Sequence, residues 1–182
     1  MIGVSIILDT SVALNLLATG VGLAVLESLE VNCFICSAVV DETIYIRSDD
    51  PTLPHEAVSI DLWLPSGFVK VISPDGPLEE ELYIQFAADL DDGEAMSLAI
   101  CRARGYAFAT DDRKARRIAG QLSLPAVQLL STSQILHHWA IRTGTVMGEL
   151  KRILSAIELR ARFIPSHDDP LREWWIRTRS QT

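Results

Sequence analysis

The chain has 182 residues, is 48% hydrophobic and carries a net charge of −8 at pH 7. That length suits one domain with an extension, and the apolar fraction is ample for a buried core, which excludes a disordered chain. An acidic protein is a poor non-specific binder of nucleic acid unless cations or a local basic patch offset its charge. The charge is unevenly placed. Residues 1–141 hold 8 Lys and Arg against 19 Asp and Glu, a balance of −11, whereas residues 142–182 hold 8 against 5, a balance of +3. The start, Met1 to Asp9, has no basic segment, and Asp9 cuts its apolar run short. No later run reaches the roughly 18 apolar residues a span needs. The expectation is a soluble, cytoplasmic protein.

In chain order, Ile2 to Leu8 is apolar and β-branched and ends at Asp9, which predicts a buried parallel strand with a carboxylate at its C-terminal tip. Thr10 or Ser11 is placed to cap a helix through Val12–Leu17, and Val21–Glu30 reads as a further helical turn or two. Phe34-Ile35 is a second strand. Cys33 and Cys36 flank it, and with Cys101 far off they read as core residues rather than a zinc or redox pair. Ser37 is expected to cap a helix over Ala38–Arg47. After the loop around Asp49-Asp50-Pro51, a short helix is expected over Ala57–Leu64, then a strand at Val69–Ile72.

Glu79–Ala88 is helical, with Leu82, Phe86 and Leu90 on one face. Asp91-Asp92-Gly93-Glu94 opens the most helix-like stretch, Ala95–Arg104, with Met96, Ala99, Ile100 and Ala103 expected in the core and Gly105 at its C-cap. Tyr106–Ala109 is a fourth strand with Thr110-Asp111-Asp112 at its tip. Helix Arg113–Leu122, strand Ala126–Leu130 and helix Ser131–Arg142 follow. The chain ends with a longer helix, Glu149–Phe163, and an amphipathic stretch, Leu171–Arg177. Strands alternating with helices imply βαβ units and a mostly parallel sheet, whose ligands bind outside the carboxyl ends of the strands.

That rule directs attention to the carboxylates. Asp9 follows strand one, Asp111 and Asp112 follow strand four, Glu94 stands at a helix start and Glu42 lies in the helix after strand two. Any one of these acids has an ordinary structural explanation, since capping and the helix dipole favour it; Asp91 and Asp92 read that way. As a set they repel one another, and a hard divalent cation resolves the conflict. Carboxylates without nearby ligand cysteines or histidines favour Mg²⁺ or Mn²⁺ over Zn²⁺. Such ions support hydrolysis of a phosphodiester without a covalent protein intermediate.

Leu8-Asp9-Thr10-Ser11, Val40-Asp41-Glu42, Asp92-Gly93-Glu94-Ala95 and Ala109-Thr110-Asp111-Asp112-Arg113 resemble, in order, the four acidic motifs of PIN-domain proteins, the superfamily that includes the VapC toxins. The resemblance covers roughly residues 4–142. It implies a three-layer α/β/α sandwich around a mostly parallel sheet of about five strands, with residues 143–182 as a C-terminal helical extension packed on the domain or swapped from it. It implies a metal-dependent endoribonuclease acting on single-stranded RNA, with Asp9, Glu42, Glu94 and Asp112 catalytic. Asp9, Glu94, Asp111 and Asp112 would hold Mg²⁺ or Mn²⁺. Thr10, Ser11, Thr110, Arg113 and Arg116 would touch the substrate. Glu94 departs from the aspartate that many toxins carry at the third acid. A homodimer is implied as well, with the Leu150–Phe163 helix as a candidate interface. If the chain is the toxin of a toxin–antitoxin pair, an antitoxin helix is expected over the apolar residues Val12–Leu17.

Other readings stand beside this one. Arg113, Lys114, Arg116 and Arg117, or Arg160 and Arg162, form either a backbone-holding patch or a solvated helix face. His137-His138 reads as structural. Trp174-Trp175 is expected to pack or to form a dimer contact rather than a stacking platform. Haloacid-dehalogenase phosphatases need an aspartate where Ser11 stands. The rival of a different class is a PIN fold acting as a catalytically silent scaffold that binds nucleic acid or protein.

Overall fold

A computed structural model describes residues 5–40, 44–48, 52–122 and 127–180. Its strands in chain order are β1 (Ser5–Leu8), β2 (Asn32–Cys36), β3 (Ile44–Arg47), β4 (His55–Val58), β5 (Val69–Ile72), β6 (Ala107–Ala109) and β7 (Leu129–Leu130). Its helices are α1 (Thr10–Ala18), α2 (Gly22–Glu27), α3 (Ser37–Val40), α4 (Pro77–Ala87), α5 (Asp92–Arg104), α6 (Arg113–Gln121), α7 (Thr132–Thr143), α8 (Met147–Ala156) and α9 (Arg172–Ser180). The chain forms two compact units that interleave in sequence. One comprises Met1–Ala13, Val31–Thr43 and Ser59–Leu130, the other Leu14–Glu30, Ile44–Val58 and Ser131–Thr182.

The first unit holds a five-stranded sheet in the order β5-β2-β1-β6-β7, parallel at every pairing. With flanking helices this is the expected PIN-like α/β/α architecture. Parallel strands are connected by helical crossovers, so both faces are covered and every residue can be apolar. Ile6, Ile7 and Leu8 accordingly have no exposed surface. β1 is central. The chain moves from it to β2 on one side and later to β6 on the other, so a topological switch point falls between β1 and β6.

α5 is the helix that β1, β2 and β6 pack against. Ala99 and Ile100 are buried as expected, but Met96 and Ala103 are only half-buried, while Ala95, Ser97, Leu98 and Cys101 are fully enclosed. The reason is its position between the sheet and α4, which makes the buried face wider than one helical stripe. Gly105 takes a left-handed φ of 70° and ends the helix. Arg104 joins α5 to α4 through a two-pronged bond to Glu79, Nε to Oε1 at 2.6 Å and a terminal nitrogen to Oε2 at 2.7 Å. Cys33, Cys36 and Cys101 are free and buried. Burial pushes the Cys33 thiol up to about 12 and the Cys36 thiol up to about 11. They remain protonated packing groups, as the sequence suggested.

The helix expected over Ala38–Arg47 is corrected. The described helix covers Ser37–Val40, and Ile44–Arg47 is a strand paired antiparallel with His55–Val58, Tyr45 facing Ala57 and Ile46 facing Glu56. Tyr45 is exposed, Ile46 buried and Arg47 exposed, the two-residue period of a strand with one covered face. The helix expected over Ala57–Leu64 is likewise replaced. The strand runs to Val58, and two 3₁₀ turns, Ile60–Leu62 and Leu64–Ser66, follow in the first unit. Ser59 caps the first of them through the Asp61 N–H.

α7 opens with a capping box between Ser131 and Gln134. The long C-terminal helix is α8 followed by a π-helical turn at Ile157–Ala161, and Arg162 leaves it in a left-handed conformation. Leu150, Ile153, Leu154 and Ile157 are buried there as one face, and α8 packs against α9. That face is therefore already used within the unit. Met147 and Leu159 are large apolar residues that stay exposed along this helix. Glu158 accepts from the Trp175 indole at 2.7 Å and from Arg179 at 2.9 Å. Trp175 is buried, edge-on to Phe163 and Trp174, and His137 stands edge-on to Trp174. His137, Trp174 and Trp175 thus pack on one another, the structural role expected of them. Arg160 bonds the Ala18 carbonyl and Glu56.

Candidate active site

Strand pairing builds the site. Leu8 lies opposite Ala109 in the β1–β6 register, and the Asp9 N–H continues that ladder to the Ala109 carbonyl at 2.9 Å. Asp9 and Thr110 are thereby the first residues past the carboxyl ends of two neighbouring strands, at the switch point. Residues about a hundred positions apart in the chain are brought into direct contact. The Thr110 hydroxyl donates to Asp9 Oδ2 at 2.9 Å, and the Ser11 hydroxyl donates to the same oxygen at 2.7 Å. The Ser11 hydroxyl also accepts the Asp111 N–H at 3.1 Å, and the Thr110 hydroxyl accepts the Asp112 N–H at 3.1 Å.

Asp9 is 3% exposed and sits immediately before α1. Thr10 and Ser11 are therefore the first residues of that helix, not its caps. Burial pushes the Asp9 carboxyl upward, partly opposed by the bonds from Ser11, Thr110 and the Thr10 backbone. Thr110 is fully buried, so its hydroxyl serves the two acids. Asp111 and Asp112 are half-buried. Asp112 Oδ1 caps α6, accepting from the Lys114 and Ala115 N–H groups at 2.7 and 2.8 Å. Arg113 is exposed on the first turn of α6, whereas the Arg116 guanidinium turns back onto the Thr110 and Leu130 carbonyls. Glu42 lies outside the described residues.

Glu94 enters from the first turn of α5. Its carboxyl is pushed up to about 7, first by burial and then by the negative charges of Asp91, Asp112 and Asp9. Asp9 in turn feels Asp91. Asp91, expected only as a structural cap, has a second effect. It does cap α5, accepting the Glu94 N–H at 2.8 Å, yet its charge also acts on two of the acids. The Asp-x-x-Glu spacing from Asp91 to Glu94 signals a helix start, but not the field it brings to the strand tips. Asp92 turns away and accepts from Tyr83 at 3.0 Å. Among the described residues no three His, Cys, Asp or Glu side chains are grouped closely enough to hold a metal ion between them.

A parallel sheet carrying mutually repelling carboxylates at its switch point defines a protein of nuclease-type fold. A family model described as a PIN domain matches residues 5–167, most of the chain. The chain belongs to the PIN-domain family. No curated protein and no solved structure matches it. Among the described residues no helix is long and apolar enough to cross a membrane.

Proposed function

We propose that the protein is a divalent-cation-dependent endoribonuclease that hydrolyses phosphodiester bonds in single-stranded RNA. The observation that carries this reading is that Asp9 and the Thr110–Asp112 turn meet at one sheet edge, where burial and the charges of Asp91, Asp112 and Asp9 push the Glu94 carboxyl up to about 7. The donor set is all oxygen and suits Mg²⁺ or Mn²⁺, which typically use one or two carboxylates directly and keep several waters. Asp9, Glu94, Asp111 and Asp112 would hold the ion, with Glu42 as the second acid of the family pattern. When bound, such an ion supplies positive charge to the phosphodiester undergoing attack and acidity to water.

The chain's own residues do the rest. Ser11 and Thr110 fix the Asp9 carboxylate, and Asp112 is held by its own cap on α6. Arg113, Lys114 and Arg117 are exposed on α6 beside this edge, where a nucleic-acid backbone meets them first. Thr10 and Ser11 stand at the α1 start, whose N–H groups favour an anion.

A second reading, a catalytically silent PIN module, is favoured by one observation: among the described residues no three ligands are already grouped for a metal. Purified protein with single-stranded RNA and Mn²⁺ separates the two. Cleavage that Asp9→Asn abolishes is the expected result. Activity equal in the variant, or none above a mock preparation, overturns the nuclease assignment.

A toxin role is part of the proposal, and a small DNA-binding protein encoded beside this one is its expected sign. Val12, Ala13 and Leu16 are fully buried. An antitoxin helix would therefore meet Leu14 and Leu17, which are half-exposed, rather than an open apolar groove. A homodimer is a proposal of the same kind, tested by sedimentation.

A further inference from the structure

Arg116 is a candidate for binding substrate by its place after the fourth acidic motif, but its bonds point inward. It lies on α6 one turn after Asp112, and its N–H donates to the Asp112 carbonyl at 3.0 Å. One terminal guanidinium nitrogen donates to the Thr110 carbonyl at 2.9 Å and to the Leu130 carbonyl at 3.1 Å. These carbonyls stand at the ends of β6 and β7, where the ladder closes with Thr110 N–H to Leu130 at 3.1 Å. Arg116 thus shares the Leu130 carbonyl with the Thr110 N–H and binds the Thr110 carbonyl just past the end of β6, and a charged donor binds such acceptors more strongly than a neutral one.

Thr110 is the residue whose hydroxyl holds both Asp9 and the Asp112 backbone. The turn Thr110-Asp111-Asp112 is thus closed at both ends. Asp112 caps α6, and α6 sends Arg116 back to Thr110. Arg113, Lys114 and Arg117 on the same helix are exposed, whereas Arg116 is half-buried.

We propose that Arg116 is a positioning residue, an internal clamp that fixes the Thr110–Asp112 turn, and through it Asp9 and Asp112, instead of a contact to the RNA backbone. Its catalytic consequence rests on the nuclease reading above; its structural consequence does not.

The test compares Arg116→Ala, Arg116→Lys and Arg113→Ala with the parent protein, using single-stranded RNA and Mn²⁺. Loss of the clamp in Arg116→Ala lowers kcat and Mn²⁺ affinity by about 10–100-fold, the usual scale for residues that orient ligating groups. KM and the salt dependence of RNA binding stay at parent values. Arg116→Lys keeps the charge and recovers part of the loss. Arg113→Ala shows the opposite pattern, a raised KM and a salt slope smaller by about one. Amide exchange at Asp112, followed without RNA or metal, accelerates in Arg116→Ala. The proposal is overturned if Arg116→Ala lowers the salt slope while Asp112 exchange stays at the parent rate. Should the alanine variant not fold, the parent protein decides: the clamp keeps the Arg116 guanidinium resonance unmoved on RNA addition, and a backbone contact shifts it. A parent that neither cleaves RNA nor binds Mn²⁺ removes the nuclease reading alone, and the exchange comparison still decides the clamp.

Discussion

Glu94 shows how a single side chain reports on its neighbours. Its usual carboxyl value of 4.5 is raised to about 7 by burial and by Asp91, Asp112 and Asp9. The folded state therefore holds a proton more tightly than the unfolded chain, and the metal-free protein loses stability as pH rises from about 4.5 to about 7. Glu94→Gln removes that loss. The variant should melt higher than the parent at pH 8, by roughly 2–4 °C for each kcal/mol relieved, and show no such advantage at pH 4. A melting series without divalent cation checks this; equal melting curves at pH 8 would mean that neither burial nor the neighbouring acids raise Glu94. The residue was legible in the sequence as a helix-start acid. Its altered chemistry was not, because the charges responsible sit at three other positions that the fold brings near it.

At the scale of elements, α4 and α5 are joined by Glu79 and Arg104, whose paired bonds hold the Glu79 carboxyl below its ordinary value of 4.5. A depressed folded value means stability that is present above about 4.5 and lost as pH falls through the folded value. Glu79→Gln should destabilise the protein at pH 7 by about 1–3 kcal/mol, with the gap to the parent closing on acidification. Urea unfolding at pH 7 and pH 3.5 measures it, and a constant gap would contradict the ionic origin.

The β3–β4 pair supplies a sharper contrast. Ile46 is 1% exposed and Tyr45 is 60% exposed. Ile46→Ala should cost about 2–5 kcal/mol, and Tyr45→Thr should stay within about 0.5 kcal/mol. Alternate residues of a strand face opposite sides of the pair, which puts Tyr45 outward and Ile46 inward. The sequence misled here because Val39, Val40, Thr43 and Ile46 also satisfy a helical spacing, and so short an apolar run does not distinguish the two periods. The strand wins because residues 55–58 offer it a partner, which local sequence does not reveal.

For the molecule as a whole, the decisive feature is electrostatic. A sheet edge that gathers acids becomes more stable when a cation neutralises them, and a ligand that binds the folded state raises its stability in proportion to the logarithm of its concentration. Millimolar Mn²⁺ should therefore raise the melting temperature of the parent at pH 7.5 by several degrees, about 2.7 kcal/mol at a hundred times the dissociation constant. Asp9→Asn should lose most of the shift. An equal shift in both proteins would place the cation elsewhere and weaken the role given to this edge.

The strand–helix alternation, the apolar strands, the helix-start acid Asp91, the C-cap at Gly105 and the buried cysteines were all readable from the chain, because each depends on residues within a turn or two of one another. So was the ordered set of acids at strand tips and helix starts. Tertiary structure alone decided that Thr110 bridges Asp9 and Asp112, that Asp91 acts on Glu94, that Arg116 points inward, and that residues 44–47 pair as a strand. Periodicity and capping are local properties of the backbone, whereas a hydroxyl shared by two acids and a strand's choice of partner depend on distances that only the closed chain defines.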